Sequence, residues 1–146
     1  MQVNQEINVI HYAIHAYTDE SITVSVPIGR VKLLPTDEGA LIDHSKQTRE
    51  TFSCSVVVSP NELIRDWPPR SFSELTVEHF DSLLTLQPEI VLLGTGSRLR
   101  WPETALYASL IEKGIGLEVM DTGAACRTYN ILMADERKVV AALLFT

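Results

Sequence analysis

The sequence has few of the residues that mark secreted, membrane-spanning or nucleic-acid-binding proteins. It contains two cysteines, Cys54 and Cys126, among 146 residues. These are too few for a disulfide framework, so we expect reduced thiols and a cytoplasmic location. The longest apolar runs, such as residues 139–145, are about a third as long as a membrane-spanning helix. Acidic residues number 19 and basic residues 12, giving a net charge of −7 that disfavours nucleic acid and anionic lipid as partners.

The first residues carry no recognisable targeting signal. Residues 1–6 contain no basic side chain and no apolar run of signal-peptide length, so neither export nor membrane insertion is expected. Hydrophobic residues make up 45% of the chain and charged residues 21%, as in ordinary globular proteins. This length predicts one domain over residues 1–146, mainly β up to residue 60 and α/β from residue 61.

The first part of the chain alternates apolar and polar side chains as half-buried strands do. Residues 9–17 and 22–26 follow this pattern and predict an antiparallel β-hairpin. The polar residues 35–50 predict a solvated loop. Residues 52–59 predict one further strand, which Pro60 ends.

A helix after residue 75 carries clear start signals. Thr76 is a suitable N-cap, and Leu75 and Phe80 have the spacing of a hydrophobic staple. Ahead of this helix, the sequence Trp-Pro-Pro at residues 67–69 cannot lie in the interior of a helix or in a central strand.

Strands and helices alternate through the rest of the chain. Short apolar strands are predicted at residues 90–93, 117–120 and 139–145, with a helix from Pro102 to near Lys113 and another between the last two strands. This series predicts a sheet covered by helices on both faces. By default, this alternation leaves the last strand parallel to the others.

Two glycine-bearing loops stand where open α/β sheets bind ligands, just beyond the carboxyl ends of parallel strands. Each loop joins a strand to a helix and can aim backbone N–H groups at an anion. A small-anion or nucleotide-like site is one interpretation, and tight turns that bind nothing are the alternative. The candidate ligand-binding residues are Gly94, Thr95, Gly96, Ser97, Arg98, Asp121, Thr122, Cys126, Arg127 and Asn130.

Several of these residues also have a purely structural interpretation. Cys126 lies early in a helix and next to Arg127, which favours a thiolate, but cysteine more often packs in the core and no histidine is placed near it. Asp121 and Thr122 are either an acid–base pair or an N-cap. Arg127 and Asn130 lie one helical turn apart on the same side of the helix. One interpretation is that they bind a ligand or partner, and the other is that they hydrogen-bond nearby loops.

Aromatic and histidine residues offer weaker signals. Trp67 and Trp101 each precede a proline in a predicted loop, and aromatics on rigid loops often anchor interfaces. Covering the ends of the core is the alternative for both. His11 and His15 share one strand face, too little to predict a metal site, and no cofactor is expected.

Four blocks of sequence occur in the order and spacing of one family. They are Ile90-Val91-Leu92-Leu93-Gly94-Thr95-Gly96, Gly114-Ile115-Gly116-Leu117-Glu118-Val119-Met120-Asp121-Thr122, Ala124-Ala125-Cys126-Arg127-Thr128-Tyr129-Asn130, and Arg137-Lys138-Val139-Val140-Ala141-Ala142-Leu143-Leu144. Together they resemble the Mth938-like domain family, which includes mitochondrial complex I assembly factor 3 and the adipogenesis-associated Mth938-domain protein. The resemblance runs from about residue 52 to residue 144, and residues 30–49 look like extra length.

The resemblance implies a three-layer α/β fold with a central mixed sheet, in which the last strand runs antiparallel to its neighbours. It attaches no enzymatic reaction to the motif residues, and the mitochondrial member acts by binding another assembly factor and nascent complex I subunits. We therefore expect a non-enzymatic protein-interaction module that assists assembly of a respiratory or membrane complex. Small-ligand binding at the two loops, and a thiol-dependent enzyme using Cys126, are the alternatives.

Overall fold

The computed structural model of the protein describes residues 11–27 and 48–145. Its strands are β1 (Ala13–Tyr17), β2 (Ile22–Val26), β3 (Thr48–Phe52), β4 (Val56–Val58), β5 (Leu63–Ile64), β6 (Ile90–Thr95), β7 (Gly116–Met120) and β8 (Val139–Leu144). Its α-helices are α1 (Val77–Ser82), α2 (Ala108–Glu112) and α3 (Thr122–Ala134), and short 3₁₀ helices span Phe72–Glu74, Leu83–Leu86 and Thr104–Tyr107. The start of the predicted first strand and most of the predicted loop at residues 35–50 lie outside the described residues.

The described strands form two sheets. The predicted hairpin is present as β1 and β2, and β3 pairs antiparallel with β2 to give a three-stranded sheet in the order β1-β2-β3. The second sheet is mixed and has the order β5-β4-β8-β6-β7. In it, β6 is parallel to both β7 and β8, whereas β4 is antiparallel to β5 and β8.

The direction of the last strand corrects one expectation. Strand β8 is antiparallel to β4 but parallel to β6, so it does not run antiparallel to both neighbours. The 13-residue helix α3 carries the chain from the end of β7 back across the sheet, and β8 therefore starts at the same edge as β6. The alternation of strands and helices predicts this parallel pairing correctly.

Alternate residues of the mixed sheet pack into two separate apolar cores. On one face, Leu92 and Ala141 pack with α3 and the hairpin. On the other face, Leu93 and Ala142 pack with side chains of α1, α2 and the nearby loops. Because β8 is buried along its whole length, its sequence is a continuous apolar run without alternating polar residues. The predicted three-layer α/β fold with a central mixed sheet is confirmed.

Two interpretations of the β region are wrong. Residues 52–59 are not one strand, because the chain bends at residues 53–55 between β3 of one sheet and β4 of the other. Residues 48–50, predicted as loop, begin β3 and pair with β2. The side chains of β3 are mostly exposed, and a polar strand at a sheet edge has the composition of a loop.

The helix starts follow the predicted capping residues. The His79 Nδ1 accepts a hydrogen bond from the backbone N–H of Thr76 at 3.0 Å, which completes a capping box at the start of α1. The Asp121 carboxylate accepts from the Ala124 N–H at 2.8 Å and caps α3. Within the described ranges, no helix has the length and apolar character needed to cross a membrane.

Candidate functional site

The two glycine-bearing loops leave the mixed sheet side by side, because β6 and β7 are parallel neighbours. The Gly96 N–H donates to the Thr122 hydroxyl at 2.8 Å, and the Thr122 N–H donates to the Gly96 carbonyl at 2.9 Å. The predicted common edge at the carboxyl ends of the two strands therefore exists. We call residues 94–98 and 120–124 together the glycine rim.

Thr122 is the centre of the glycine rim. Its buried hydroxyl donates to the Leu144 carbonyl of β8 at 2.5 Å, in addition to accepting from the first loop. A Cβ atom on Gly94 would lie 3.0 Å from Thr122 Oγ1 and from the Leu143 side chain, and 3.1 Å from Thr122 Cα. Glycine at this position therefore lets α3 approach the sheet closely.

Thr95 fixes the shape of the loop that follows β6. Its hydroxyl donates to the Arg98 carbonyl at 2.6 Å and accepts from the Arg100 N–H at 3.1 Å. Gly96 has a φ of +95°, a left-handed conformation that glycine adopts without strain. The loop is thus held by contacts within the protein.

Three backbone N–H groups of the glycine rim are already bonded within the protein. Those of Gly96, Thr122 and Ala124 donate to protein oxygens, and an N–H that is already bonded is not free to hold an anion. Ser97 and Arg98 are the exposed members of the first loop. An anion site at these residues stays a prediction.

Cys126 lies in the core between α3, the mixed sheet and the hairpin, and is 1% exposed. Burial raises the pKa of its thiol to about 12, and the neighbouring Arg127 offsets only part of that increase. The thiol is therefore protonated at neutral pH, which weighs against a nucleophilic role. Its surroundings match the packing interpretation.

Side chains of α3 also hold strand β1. Asn130 Oδ1 accepts from the Ile14 N–H at 2.9 Å, and Asn130 Nδ2 donates to the Ile14 carbonyl at 2.7 Å. The pairing of β1 with β2 shifts register just after Ile14, so the amide bonds the backbone next to a bulge. The Tyr129 hydroxyl donates to the Tyr12 carbonyl at 2.7 Å. These two motif residues join the helix to the hairpin.

Arg127 lies on the surface of α3 and contacts Tyr17 at the end of β1. The Arg127 guanidinium donates to the Tyr17 hydroxyl, and its Cζ atom lies 5.8 Å from the centre of the Tyr17 ring. A Cβ on Gly123 would lie 3.0 Å from the same ring. Tyr17 therefore covers the start of α3, and the candidate residues Arg127 and Asn130 both serve the docking of β1.

The two tryptophans have different environments. Trp67 is 4% exposed, packs in the core beside α1 and meets the His79 ring edge-on at 6.2 Å between centres. Its side chain is therefore part of the core and is not exposed to a partner. Trp101 is 66% exposed and is available to one.

Next to Trp101, the structure shows a surface that the sequence patterns did not reveal. Residues 97–101, Ser-Arg-Leu-Arg-Trp, are all exposed, and Leu99 is 52% exposed. Two arginines thus alternate with two large apolar side chains, and the Arg100 Cζ atom lies 5.9 Å from the Phe72 ring centre. We call residues 97–101 the Trp101 loop. The alternation of arginine with large apolar side chains was visible in the sequence. It lies between Gly96 and Pro102, where no strand or helix continues, and could have predicted an exposed loop.

A family of proteins of unknown function, DUF498/DUF598, matches residues 38–144. The match begins inside residues 30–49, and the extra length expected there stays a prediction. Assembly factor 3 of the NADH dehydrogenase [ubiquinone] 1 alpha subcomplex from Danio rerio is 36% identical over 83 residues, 56% of this chain and 48% of that protein. The chain spans about half the length of the curated relatives it matches.

Solved structures share the fold over nearly the whole chain. A crystal structure of a Bordetella parapertussis protein has a TM-score of 0.71 and 32% identity, covering 92% of this chain and 95% of that chain. A solution structure of a Bordetella pertussis Mth938-like domain has a TM-score of 0.66 and 28% identity, covering 91% of this chain and 85% of that one. With the sequence match over residues 38–144, these likenesses show that the chain belongs to the DUF498/DUF598 family of Mth938-like domains.

Proposed function

We propose that this protein is a non-enzymatic binding module that assists the assembly of a respiratory or membrane complex from the cytoplasmic side. The observation that carries the proposal is the Trp101 loop, which exposes Leu99 and Trp101 between Arg98 and Arg100. Tryptophan and arginine are the side chains that most often dominate the energetics of protein interfaces. A partner that covers this loop would remove both apolar side chains from water.

The kind of partner follows from the charge of the loop. Within the described part of the chain, neither Arg98 nor Arg100 has a carboxylate partner. Two uncompensated positive charges on a chain of net charge −7 favour a partner that places carboxylates around an apolar pocket. Arginine also binds carboxylates in a bidentate geometry, which adds orientation to the contact.

The names of relatives support the assembly role. The matching Danio rerio protein is called an assembly factor of NADH dehydrogenase. The cytoplasmic location rests on the cysteine content, since two cysteines are too few for a disulfide framework. The buried, protonated Cys126 supports the non-enzymatic part of the proposal.

Complementation of a deletion strain tests this function. We expect a strain lacking the gene to accumulate less of an assembled membrane complex, seen on native gels of its membranes with an NADH dehydrogenase activity stain. The wild-type gene restores the complex, and the double variant Leu99→Ser, Trp101→Ser does not. The matched control is Ile131→Ser, which removes a side chain that is 65% exposed on α3, far from the loop in sequence. It should restore assembly fully.

Two results would contradict the proposal. One is a normal pattern of membrane complexes in the deletion strain. The other is full restoration by the double variant at wild-type protein level, because the loop would then contribute nothing to the role. Thermal unfolding of the purified double variant shows whether it is folded, and exposed positions are expected to change stability by less than about 0.5 kcal/mol.

A further inference from the structure

A cavity of about 410 Å³ lies at the edge of the mixed sheet where β8 begins, opposite the glycine rim. Its apolar part is formed by Leu86, Pro88 and Met133, together with the first residues of β8. The volume falls in the usual range for small-molecule sites, roughly 300–1,000 Å³. The Trp101 loop does not line the cavity, so ligand binding there would be independent of the proposed function.

Two strained residues line this cavity. Gln87 and Glu136 have φ values of +50° and +60°, and they are the only non-glycine residues with positive φ in the described ranges. Each follows a helix end, Gln87 after Leu83–Leu86 and Glu136 after α3, where glycine would fit without strain. A turn alone does not need a long polar side chain at such a position. Both residues line the same cavity.

The charges around the cavity favour a cation. Glu62 and Glu136 are among the lining residues, and neither carboxylate makes an ion pair or a hydrogen bond within the described part of the chain. Arg137 also lines it, but its guanidinium is compensated by Glu89 at 2.6 Å.

Other charged and polar groups border the same space. The carboxyl end of α3, with its negative dipole end, lies beside the cavity. Lys138 carries the remaining formal positive charge of the lining, on a long and exposed side chain. His11 lines the cavity too, and within residues 11–27 and 48–145 its buried Nδ1 has no hydrogen-bond partner. Within the described residues, Glu62 and Glu136 make no ion pair, whereas Lys138 interacts electrostatically with Glu89.

We propose that this cavity binds a small organic amine, with the ammonium group held by Glu62 and Glu136 and an apolar body placed on Leu86, Pro88 and Met133. The mixed lining fits a molecule with one charged end and one apolar end. An uncharged apolar molecule would leave the two carboxylates unused, and an anion would face them directly.

Fluorescence titration of the full chain with monodansylcadaverine tests the site. This probe joins an apolar naphthalene ring to a primary ammonium group. We expect its N-acetylated derivative, which is uncharged, and dansylglycine, which is an anion, to bind about tenfold or more weakly by comparison. Glu62→Gln and Glu136→Gln should each weaken binding about three- to tenfold. Lys138→Gln should strengthen it, and Glu78→Gln, on the exposed face of α1, should leave it unchanged.

Glu136→Gly separates ligand binding from a structural role. Glycine relieves the left-handed strain, so the variant should melt at a higher temperature while binding the probe more weakly. Amide chemical shifts on addition of the probe should change at residues 59–62 and 136–140. The proposal is overturned if the probe does not bind up to about 1 mM, if the acetylated probe binds equally well, or if dansylglycine binds more tightly. It is also overturned if both glutamine variants keep the wild-type affinity for the probe. Chemical shift changes centred on residues 97–101 would overturn it too.

Discussion

At the scale of single residues, the motif residues of α3 have structural contacts that account for their presence without a catalytic role. Asn130 bonds both backbone groups of Ile14, and Tyr129 bonds the carbonyl of Tyr12. Cys126, one turn earlier in the helix, is buried with its thiol protonated. These side chains of the motif can therefore be understood as a set that attaches the hairpin to the helix.

The titration of Cys126 gives a prediction at this scale. Folding raises the pKa of this thiol from 9.0 to about 12, so its contribution to stability is complete below pH 9 and is lost as the pH rises towards 12. The free energy of unfolding should fall more steeply above pH 9 in the wild type than in Cys126→Ala. Because burial also raises the pKa of Tyr129, only the difference between the two proteins reports the thiol.

Denaturant unfolding at several pH values measures this difference, and thiol modification provides a second readout. At pH 8, the exposed Cys54 of the native protein should react quickly with a thiol reagent and Cys126 slowly. Equal pH slopes for the two proteins, together with fast modification of both thiols, would mean that Cys126 is reached by solvent and that its packing role is mistaken.

The sequence could suggest these residues but not their partners. Cysteine at an early helical position favours either activation or packing, and the choice depends on burial that only the fold decides. Asp121 could be recognised as an N-cap from its local position. The bonds of Thr122 to Gly96 and Leu144 could not, because their partners lie 26 and 22 residues away along the chain.

Among the elements, the contact of α3 with the mixed sheet depends on a glycine. A Cβ on Gly94 would lie 3.0–3.1 Å from Thr122 Oγ1, Thr122 Cα and the Leu143 side chain, and the helix backbone cannot move aside as a flexible side chain can. Gly94→Ala should therefore lower the free energy of unfolding by about 1–3 kcal/mol. Denaturant unfolding measures the loss.

Gly116→Ala is the matched control for this variant. Its Cβ would lie 3.8 Å from Ile90 Cγ1 and 3.9 Å from the Glu89 carbonyl oxygen, ordinary van der Waals contact at the start of β7. We expect a change of less than about 0.5 kcal/mol. If both alanine variants unfold at the same denaturant concentration as the wild type, the close approach of α3 to the sheet is not what fixes glycine at position 94.

Predictability differs among the elements for physical reasons. Strands β6 and β8 are buried on both faces and therefore appear as apolar runs, which made them easy to place. Strand β3 is an exposed edge strand, and β5 has two residues, too few for any periodicity. The break between β3 and β4 depends on which sheet each strand joins, and local sequence carries no such information.

At the scale of the whole molecule, the layers place two different surfaces at opposite ends of the mixed sheet. The glycine rim and the Trp101 loop follow the carboxyl ends of β6 and β7, whereas the cavity lined by Gln87 and Glu136 lies where β8 begins. Four separate stretches of chain line that cavity, so no local sequence motif could predict it. A partner at one end leaves the other end free for a small molecule.

Photo-crosslinking from position 101 in living cells tests the central claim, protein binding through the Trp101 loop, most directly. A photoreactive phenylalanine analogue replaces Trp101, and the control replaces Ile131, which is equally exposed on α3. We expect the probe at 101 to give a discrete crosslinked band containing a subunit or assembly factor of a membrane complex, and the probe at 131 to give none. The account is contradicted if position 101 yields no band beyond that of position 131, or the same band at both.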